Sequence, residues 1–242
     1  MPTKSLTLAK IHDEHQKAKT LTVIMLHGLA SDSHTYDSAL KYLTEKPALK
    51  DVRFVTFDLL GSGKSPNTDD IDYTITSQVE ALHASIANLK LKTPILLVGH
   101  SMGSLIATHY VKKYGAAGLV LISSPFYQDS DFKNPAFAAG MEMFKEAVAL
   151  KNDRSLLTKK SFNDAIKYVV MGPKNFQTLT TLKVPTIIIY GALDQFIIPH
   201  NLKAAAAANP EYIELIKTEG RHGVSRDKYS ELAGILERVI DA

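Results

Sequence analysis

The chain has 242 residues, of which 45% are hydrophobic and 22% are charged, and its formal net charge is +3. This length suffices for one α/β domain with an extensive apolar core, and the lack of a long Lys/Arg run predicts no nucleic-acid partner. The absence of cysteine excludes disulfide bonds, thiolate metal ligands and a cysteine nucleophile. Residues 1–15 lack the apolar centre of a signal peptide, and no run approaches about 18 apolar residues, which predicts a cytoplasmic protein without a membrane span.

Apolar runs alternate with segments of helical periodicity, which favours an α/β fold with a mainly parallel sheet covered by helices on both faces. The predicted strands are an antiparallel edge strand at Ser5–Ile11, then Leu21–Leu26, Val52–Phe57, Ile95–Val98, Gly118–Ile122, Thr186–Tyr190 and Tyr212–Ile216. The predicted helices are Ser33–Leu43, a helix that begins at Ser77 with a capping box, Met102–Tyr114, Pro199–Ala208 and Ser225–Ile240.

The segment 125–183 interrupts this alternation. It contains no convincing strand, and amphipathic helices are predicted at Ala136–Leu150 and Ser161–Val170. An insertion after a core strand lies over the carboxyl ends of the strands, where open sheets bind ligands. We therefore predict a single domain spanning 1–242, with a core of 1–124 and 184–242 and a small helical cap at about 125–183.

The run Gly99-His100-Ser101-Met102-Gly103 lies between a predicted buried strand and a predicted helix. A strand, a tight turn and a helix form the setting in which Gly-x-Ser-x-Gly presents a nucleophilic hydroxyl. The neighbours must be small because the serine backbone is strained and other elements pass close to it. The sequence therefore indicates Ser101 as a nucleophile; the alternative is a glycine-rich turn without a catalytic function.

A serine nucleophile needs a base, and the base needs an orienting acid. His222 is the candidate base because it follows the last predicted strand in a loop with glycines on both sides. Asp194 is the candidate acid in the loop after the preceding strand, and Asp129 or Asp131 is the competing choice. The chain order of nucleophile, acid and base is one that known serine hydrolases use.

Two backbone N–H groups are expected to hold the oxyanion that forms during acyl transfer. Met102 begins the helix after the nucleophile, and Leu29 follows His27-Gly28 in the loop after an early strand. We assign the N–H groups of Leu29 and Met102 to this oxyanion hole. Gly28 permits the turn, and His27 is expected to hold the loop through side-chain hydrogen bonds.

A second glycine-rich run, Gly61-Ser62-Gly63-Lys64-Ser65, looks like the tail of a phosphate-binding P-loop. Asp58 stands where that motif needs a glycine, and Pro66 opposes the helix that should follow. We therefore expect no nucleotide site here, and no metal or organic cofactor elsewhere.

Four motifs in this order resemble the α/β-hydrolase superfamily over nearly the whole chain, in particular its capped, MhpC-like esterase and lipase branch. They are the oxyanion-loop motif His27-Gly28, the D-x-x-G-x-G-x-S loop Asp58–Ser65, the nucleophile elbow Gly99–Gly103 and the G-x-x-D-x-x-x-P acid loop Gly191–Pro199. The resemblance implies the α/β-hydrolase fold and the triad Ser101, Asp194 and His222.

The chain also departs from this family pattern. Many members carry a tryptophan after the oxyanion loop, whereas this chain has none and places Tyr36 near that position. Haloalkane dehalogenases and epoxide hydrolases of this fold use an elbow aspartate, so Ser101 sets those activities aside.

These residues predict a serine hydrolase that cleaves carboxylic esters of small or medium acyl or aryl groups through an acyl-enzyme intermediate. The expected partner is a small-molecule ester, and the oligomeric state is not assigned. An aminopeptidase similar to proline iminopeptidases, a C–C bond hydrolase on the same triad, and a non-catalytic ligand-binding protein are the alternatives. The expected substrate contacts, which could instead only pack the cap onto the core, are Phe126, Tyr127, Phe137, Met141 and Phe144.

Overall fold

The structure of the protein, a computed structural model, describes residues 6–151, 157–172 and 174–241, without the side chains of residues 144 and 147–151. The described strands are β1 (Lys10–Glu14), β2 (Leu21–Leu26), β3 (Val52–Phe57), β4 (Ile95–His100), β5 (Gly118–Ile122), β6 (Thr186–Gly191) and β7 (Ile213–Thr218). The described helices are α1 (Asp37–Thr44), α2 (Ile75–Asn88), α3 (Met102–Tyr114), α4 (Asp129–Phe132), α5 (Pro135–Lys151), α6 (Lys159–Asp164), α7 (Asn175–Thr180), α8 (Pro199–Ala208) and α9 (Arg226–Ile240). Short 3₁₀ turns cover Ser33–Tyr36 and Pro47–Leu49, and α6 continues as a π-helical turn over Ala165–Val170.

These seven strands form one sheet in the order β1-β3-β2-β4-β5-β6-β7. β1 runs antiparallel to β3, and every other neighbouring pair is parallel. In this register Leu26 of β2 lies opposite Gly99 of β4, and His100 lies opposite Ile122 of β5. Because the strands are parallel, the loops that follow β2, β4, β6 and β7 leave the sheet at the same edge.

Apolar side chains cover both faces of the sheet, because successive residues of a strand point to opposite faces. On one face, Val23 and Met25 of β2 pack with α1 and α9. On the other face, Ile24 and Leu26 pack with α2, α3 and α8. Burial on both faces explains why the continuous apolar runs of β2 and β5 predict these strands correctly. None of the helices within the described ranges is long and apolar enough to cross a membrane.

The N-terminal strand lies further along the chain than predicted. β1 spans Lys10–Glu14, whereas the alternation of side chains places it at Ser5–Ile11, of which Ser5 is outside the described residues. Leu8, which suggested the strand, is buried in the core, and its N–H donates to Ser85 Oγ at 2.7 Å. Asp13 lies opposite Val55 in the β1–β3 ladder, and its carboxylate accepts a hydrogen bond from Arg53 Nε on β3 at 2.7 Å.

Helix α2 begins at Ile75 rather than at Ser77, so the predicted capping box is wrong. Thr74 is the N-cap, and its Oγ1 accepts the Ser77 N–H at 3.2 Å. The last strand, β7, also begins and ends later than predicted, at Ile213 and Thr218.

Between β5 and β6 the described chain is helical, as predicted for the segment 125–183. Met141, Val169 and Leu179 of this segment join the same core cluster as α2 and α3. A separate small cluster of Leu157, Phe162 and Ile166 packs against Leu29 and Ala30 in the loop after β2. The segment therefore rests partly on the sheet core and partly on the loop that carries Leu29.

The turn between β4 and α3 requires two glycines. Ser101 adopts φ 51° and ψ −120°, outside the regions that side-chain-bearing residues prefer. A Cβ atom added to Gly99 would lie 2.5 Å from Ser104 Cα, and one added to Gly103 would lie 2.3 Å from the Leu26 carbonyl oxygen. The helix can approach β2 this closely only because residue 103 has no side chain.

We expect Gly103→Ala to destabilise the protein by about 1–3 kcal/mol, because the new methyl group meets backbone atoms that cannot move independently. Gly234→Ala is the matched control, since a Cβ added there on α9 meets no atom within 4 Å. This second change should raise stability by about 0.5–1 kcal/mol. Urea unfolding of both variants measures the difference, and equal effects would contradict the close packing described for Gly103.

Candidate active site

Three side chains from three different loops form one hydrogen-bonded line at the carboxyl edge of the sheet. Ser101 Oγ lies 2.9 Å from His222 Nε2. On the other side of the imidazole, His222 Nδ1 lies 2.9 Å from Asp194 Oδ1 and 3.0 Å from Asp194 Oδ2. The structure thus brings together the predicted nucleophile, base and acid, although they are separated by up to 121 positions in the chain.

Asp194 follows β6, and its side chain is fully buried. Oδ1 also accepts the Phe196 N–H at 3.0 Å. Burial alone would raise the pKa of Asp194. The hydrogen bond and the charge of His222, together with the Phe196 N–H, have a larger opposite effect, so the pKa lies below its ordinary value. The carboxylate is therefore ionised at neutral pH and accepts the proton on His222 Nδ1.

The acid loop and the histidine loop meet through a close glycine contact. A Cβ atom added to Gly191, at the end of β6, would lie 2.0 Å from the Gly220 carbonyl oxygen. Leu193 N–H donates to that same oxygen at 3.1 Å. This contact fixes the spacing of the two loops and hence the distance from Asp194 to His222.

His100, the last residue of β4, holds the backbone of the candidate base. Its Nε2–H donates to the His222 carbonyl oxygen at 2.8 Å. Its Nδ1 is buried and has no hydrogen-bond partner among the described residues. Burial lowers the pKa of His100 to about 3, and the nearby charges of His222 and Lys228 act in the same direction. His100 is therefore neutral at physiological pH and serves as a support for His222.

Lys228 of α9 supports the same loop from the other side. Its side chain is fully buried, and Nζ donates to the carbonyl oxygens of Arg221 and Gly223, the latter at 3.0 Å. Nζ also lies 3.3 Å from Ser225 Oγ. Burial lowers the pKa of Lys228, while Asp227 and Asp194 oppose that shift. The residues on both sides of His222 are thus bound to one buried amino group.

Sequence reasoning missed Lys228 and Phe196, although one signal was present. Lys228 precedes Leu232 and Leu236 at intervals of four residues, which places the lysine on the buried face of α9. No sequence pattern indicates that the Phe196 ring packs edge-on against His222, with the ring centroids 4.9 Å apart.

The two backbone N–H groups assigned to the oxyanion hole belong to Met102 and Leu29. Met102 is the first residue of α3, so its N–H has no intrahelical acceptor. The Leu29 N–H has no acceptor among the described residues. A Cβ atom added to Gly28 would lie 3.1 Å from Ser101 Cβ, which shows how closely the Leu29 loop approaches the serine.

Buried side chains hold the Leu29 loop in place. His27 Nε2 accepts the Leu59 N–H at 2.9 Å, and the other ring nitrogen bonds to the Gly28 carbonyl oxygen at 2.8 Å. Asp58 Oδ1 accepts the Ser33 N–H at 2.9 Å. These contacts give His27 and the Asp58–Ser65 loop a structural role, since they tie the loop after β3 to the loop after β2.

The competing acids lie elsewhere. Asp131 Oδ2 accepts hydrogen bonds from the Gln128 N–H and from Asn201 Nδ2, both at 2.7 Å. Asp129 is exposed in the first turn of α4. Neither carboxylate bonds to His222, whose Nδ1 is paired with Asp194.

An apolar cavity of about 490 Å³ lies next to Phe196, between the acid loop and α5. Tyr127, Phe137 and Met141 line this cavity together with Ile197. The Tyr127 hydroxyl donates to the Phe196 carbonyl oxygen at 2.7 Å, which joins the helical segment to the acid loop. Three of the five expected substrate contacts therefore surround one cavity that adjoins the candidate site.

The other two expected contacts have different positions. Phe126 does not line the cavity, because its side chain is 1% exposed and packs in the sheet core. Its carbonyl oxygen accepts a hydrogen bond from Asn201 Nδ2 at 3.0 Å. The side chain of Phe144 lies outside the described part of the chain.

We expect acid to destabilise the protein partly through His100. The unfolded chain binds a proton at His100 near pH 6.5, whereas the folded protein does so only near pH 3. The stability that the neutral His100 contributes is therefore present above pH 6.5 and is lost as the pH falls below that value. From pH 6.5 to about pH 5 the loss is about 2 kcal/mol, at about 1.4 kcal/mol per pH unit.

His100→Gln tests this expectation because glutamine keeps a donor for the His222 carbonyl but has no basic group. The unfolding free energy of wild type should fall by about 2 kcal/mol more than that of the variant over this pH range. Denaturant unfolding at several pH values gives the unfolding free energy of each protein as a function of pH. Equal slopes for wild type and variant would contradict a neutral His100 in the folded protein.

The chain is similar in sequence to a known protein family and to several known proteins. A family model described as the alpha/beta hydrolase fold matches residues 22–165, which is more than half of the chain. Probable lysophospholipase BODYGUARD 2 of Arabidopsis thaliana is 31% identical over 138 residues, covering 56% of this chain and 29% of that protein. Monoacylglycerol lipase ABHD6 of Mus musculus is 25% identical over 212 residues, covering 84% of this chain and 56% of that protein.

The chain thus spans less than a third of the length of BODYGUARD 2. Among solved structures, a carboxylesterase of the thaumarchaeon Nitrososphaera gargenis superposes with a TM-score of 0.75 at 15% identity, over 100% of this chain and 98% of that chain. That likeness shows the same fold. The family match and the shared fold together show that the chain belongs to the alpha/beta hydrolase fold family.

Proposed function

We propose that the protein is a serine hydrolase that cleaves carboxylic esters through an acyl-enzyme intermediate. The observation that carries this proposal is the continuous line from Asp194 through His222 to Ser101, with Oγ 2.9 Å from Nε2. A serine hydroxyl becomes an effective nucleophile only with such a base and such an orienting acid. The relatives named above, a probable lysophospholipase and a monoacylglycerol lipase, support the choice of an ester bond.

In this mechanism His222 Nε2 accepts the Ser101 proton while Oγ attacks the acyl carbon. Asp194 accepts the Nδ1–H, which keeps Nε2 free to act as the base and stabilises the imidazolium that forms. The imidazolium then gives its proton to the alcohol oxygen as the acyl C–O bond breaks. Water repeats the sequence: His222 takes its proton during attack on the acyl-serine and returns a proton to Ser101.

The Leu29 and Met102 N–H groups would hold the negative oxygen in both tetrahedral intermediates. Their positions are fixed before substrate arrives, by the Gly28 approach to Ser101 and by the start of α3. Removing one such donor typically costs roughly 3–4 kcal/mol of transition-state stabilisation.

We further infer that the segment 125–183 acts as a cap that selects the acyl or alcohol group. The cavity of about 490 Å³ has apolar walls from Phe137 and Met141 and adjoins the acid loop at Phe196. A pocket of this kind favours small or medium apolar acyl or aryl groups, because it gains free energy by burying apolar surface. No acidic side chain lines this cavity among the described residues, which gives an ammonium group of a peptide substrate no partner.

Labelling with a fluorophosphonate tests the nucleophile directly. Wild type should form a covalent phosphonyl adduct and hydrolyse p-nitrophenyl esters, whereas Ser101→Ala should lose both, with kcat/KM lower by at least about 10⁴-fold. Ser38→Ala is the matched control, since Ser38 is exposed on α1. A wild-type protein that takes no label would refute Ser101 as the nucleophile.

Hydrolysis rates for p-nitrophenyl esters of increasing chain length then define the substrate class. We expect the highest kcat/KM for short to medium acyl chains, because a cavity of about 490 Å³ limits the apolar group. An aminoacyl-arylamide serves as the comparison substrate. If that amide were cleaved faster than every ester, the ester-hydrolase proposal would be replaced by an aminopeptidase.

We expect Lys228→Met to lower kcat about 10- to 100-fold with little change in KM, because the carbonyls beside His222 lose their shared donor and the imidazole moves relative to Ser101. Lys203→Met, at an exposed position on α8, is the control. Steady-state kinetics together with the melting temperature distinguish an effect on the position of His222 from an effect on stability. A lower melting temperature with unchanged kcat would assign Lys228 a role in stability alone.

A further inference from the structure

Three side chains with metal-binding atoms meet at a second place in the molecule. They are His12 on β1, His34 in the 3₁₀ turn before α1, and Asp37 at the start of α1. His12 Nε2 lies 3.2 Å from Asp37 Oδ1, and His34 Nδ1 lies 3.2 Å from Asp37 Oδ2. All three ligand atoms lie within 4.8 Å of one another.

We propose that His12, His34 and Asp37 form a binding site for a divalent transition-metal ion of the Zn²⁺ type. Two imidazoles and one carboxylate are ligands that Zn²⁺ and its neighbours prefer. Metal–ligand bonds of about 2.0–2.2 Å in a tetrahedron place neighbouring ligand atoms about 3.3 Å apart. Each nitrogen lies 3.2 Å from one oxygen of Asp37, His12 Nε2 from Oδ1 and His34 Nδ1 from Oδ2, which matches that spacing for each histidine separately. A single Asp37 oxygen and the two nitrogens lie within 4.8 Å of one another, so small side-chain rotations bring them onto one ion. Water completes the coordination, because His34 and Asp37 are exposed.

The structure holds His12 ready for such an ion. Thr56 Oγ1 on the neighbouring strand β3 accepts the His12 backbone N–H at 3.1 Å and lies 2.8 Å from His12 Nδ1. A proton on Nδ1 can be donated to this hydroxyl, which leaves the Nε2 lone pair directed towards Asp37. Hydrogen bonds to the second ring nitrogen fix metal-binding histidines in this way.

The other two ligands are also on fixed backbone. Asp32 Oδ1 accepts the His34 N–H at 2.9 Å, and the preceding Ser33 N–H donates to the buried Asp58 at 2.9 Å. Asp37 begins α1, whose residues Leu40 and Leu43 are buried in the core. Because each ligand is on an anchored element, the backbone needs little ordering when a metal binds.

The place of the site gives it a structural role. Its ligands join the edge strand β1 to the segment that runs from the Leu29 loop into α1. An ion bound there would cross-link β1 to the start of α1. The site shares no residue with the proposed triad or its oxyanion groups, so this inference does not depend on the proposed function.

Without a metal, the same three groups can form a hydrogen-bonded cluster in which both imidazoles donate to Asp37. Metal binding then requires the proton on each bonded ring nitrogen to move to the other ring nitrogen or to leave. Titration with several metal ions distinguishes a metal site from a cluster that forms hydrogen bonds only. A metal site binds Zn²⁺ and Co²⁺ in preference to Mg²⁺, whereas a cluster that forms hydrogen bonds only shows no such preference.

The test uses the untagged full chain after treatment with a chelator. Calorimetry with Zn²⁺ should give one site, and Co²⁺ should give a visible absorption band that Mg²⁺ does not produce or compete away. His12→Ala, His34→Ala and Asp37→Asn should each weaken Zn²⁺ binding at least tenfold. They should also abolish the rise in melting temperature that Zn²⁺ causes in wild type.

His200→Ala, at an exposed histidine on α8, should bind Zn²⁺ like wild type. His222→Ala is a second control, because it removes the imidazole of the candidate active site. Loss of binding in His222→Ala instead of in the three site variants would overturn the proposal. The absence of Zn²⁺ binding by wild type, or equal binding by all variants, would overturn it as well.

Discussion

The position of the candidate nucleophile depends on one strained turn of backbone. Ser101 at φ 51° carries a conformational cost of about 1–3 kcal/mol, which persists only where the surrounding structure fixes it. Here the Ser101 N–H donates to the Ile122 carbonyl oxygen at 2.9 Å, and Ser104 Oγ donates to Gly99 at 3.0 Å. Two further residues with positive φ, Ala30 and Ser123, follow β2 and β5 at this same edge. His15 and Lys90, which also have positive φ, lie in turns after β1 and α2, so three of the five such residues other than glycine in the described chain lie at the edge that carries Ser101.

The histidine loop is held by two basic side chains, and burial lowers the pKa of both. His100 loses its proton and remains a neutral donor to the His222 carbonyl. Lys228 uses its amino group to bind the carbonyls on both sides of His222. Burying polar groups is costly unless hydrogen bonds replace the lost water, and here the replacement bonds all end on one short loop. The hydrogen bonds from these two buried side chains therefore fix the position of the His222 imidazole.

The sequence predicts the parts of this site that local rules determine. β2, β5 and α3 have the bounds expected from their apolar runs and from the Gly99 and Gly103 positions, and the order of loops places Ser101, Asp194 and His222 at one edge. β1 could not be placed in this way, because its bounds depend on its pairing with β3, which the side-chain pattern of one segment does not report. His100 and Phe196 contact His222 across 122 and 26 positions, which periodicity does not report. Periodicity places Lys228 on the buried face of α9 but does not show which carbonyl oxygens its amino group binds.

The helical segment after β5 has two separate connections to the site, and they have different consequences. Through Tyr127 and the cavity walls it touches the acid loop, where it would affect which group is bound. Through Phe162 and Ile166 it packs on Leu29, whose N–H is one of the proposed oxyanion donors. A side chain altered in the first contact acts on ground-state binding, whereas one altered in the second displaces a group that acts most strongly on the transition state. The proposed cap is therefore part of the catalytic geometry as well as the wall of the substrate pocket.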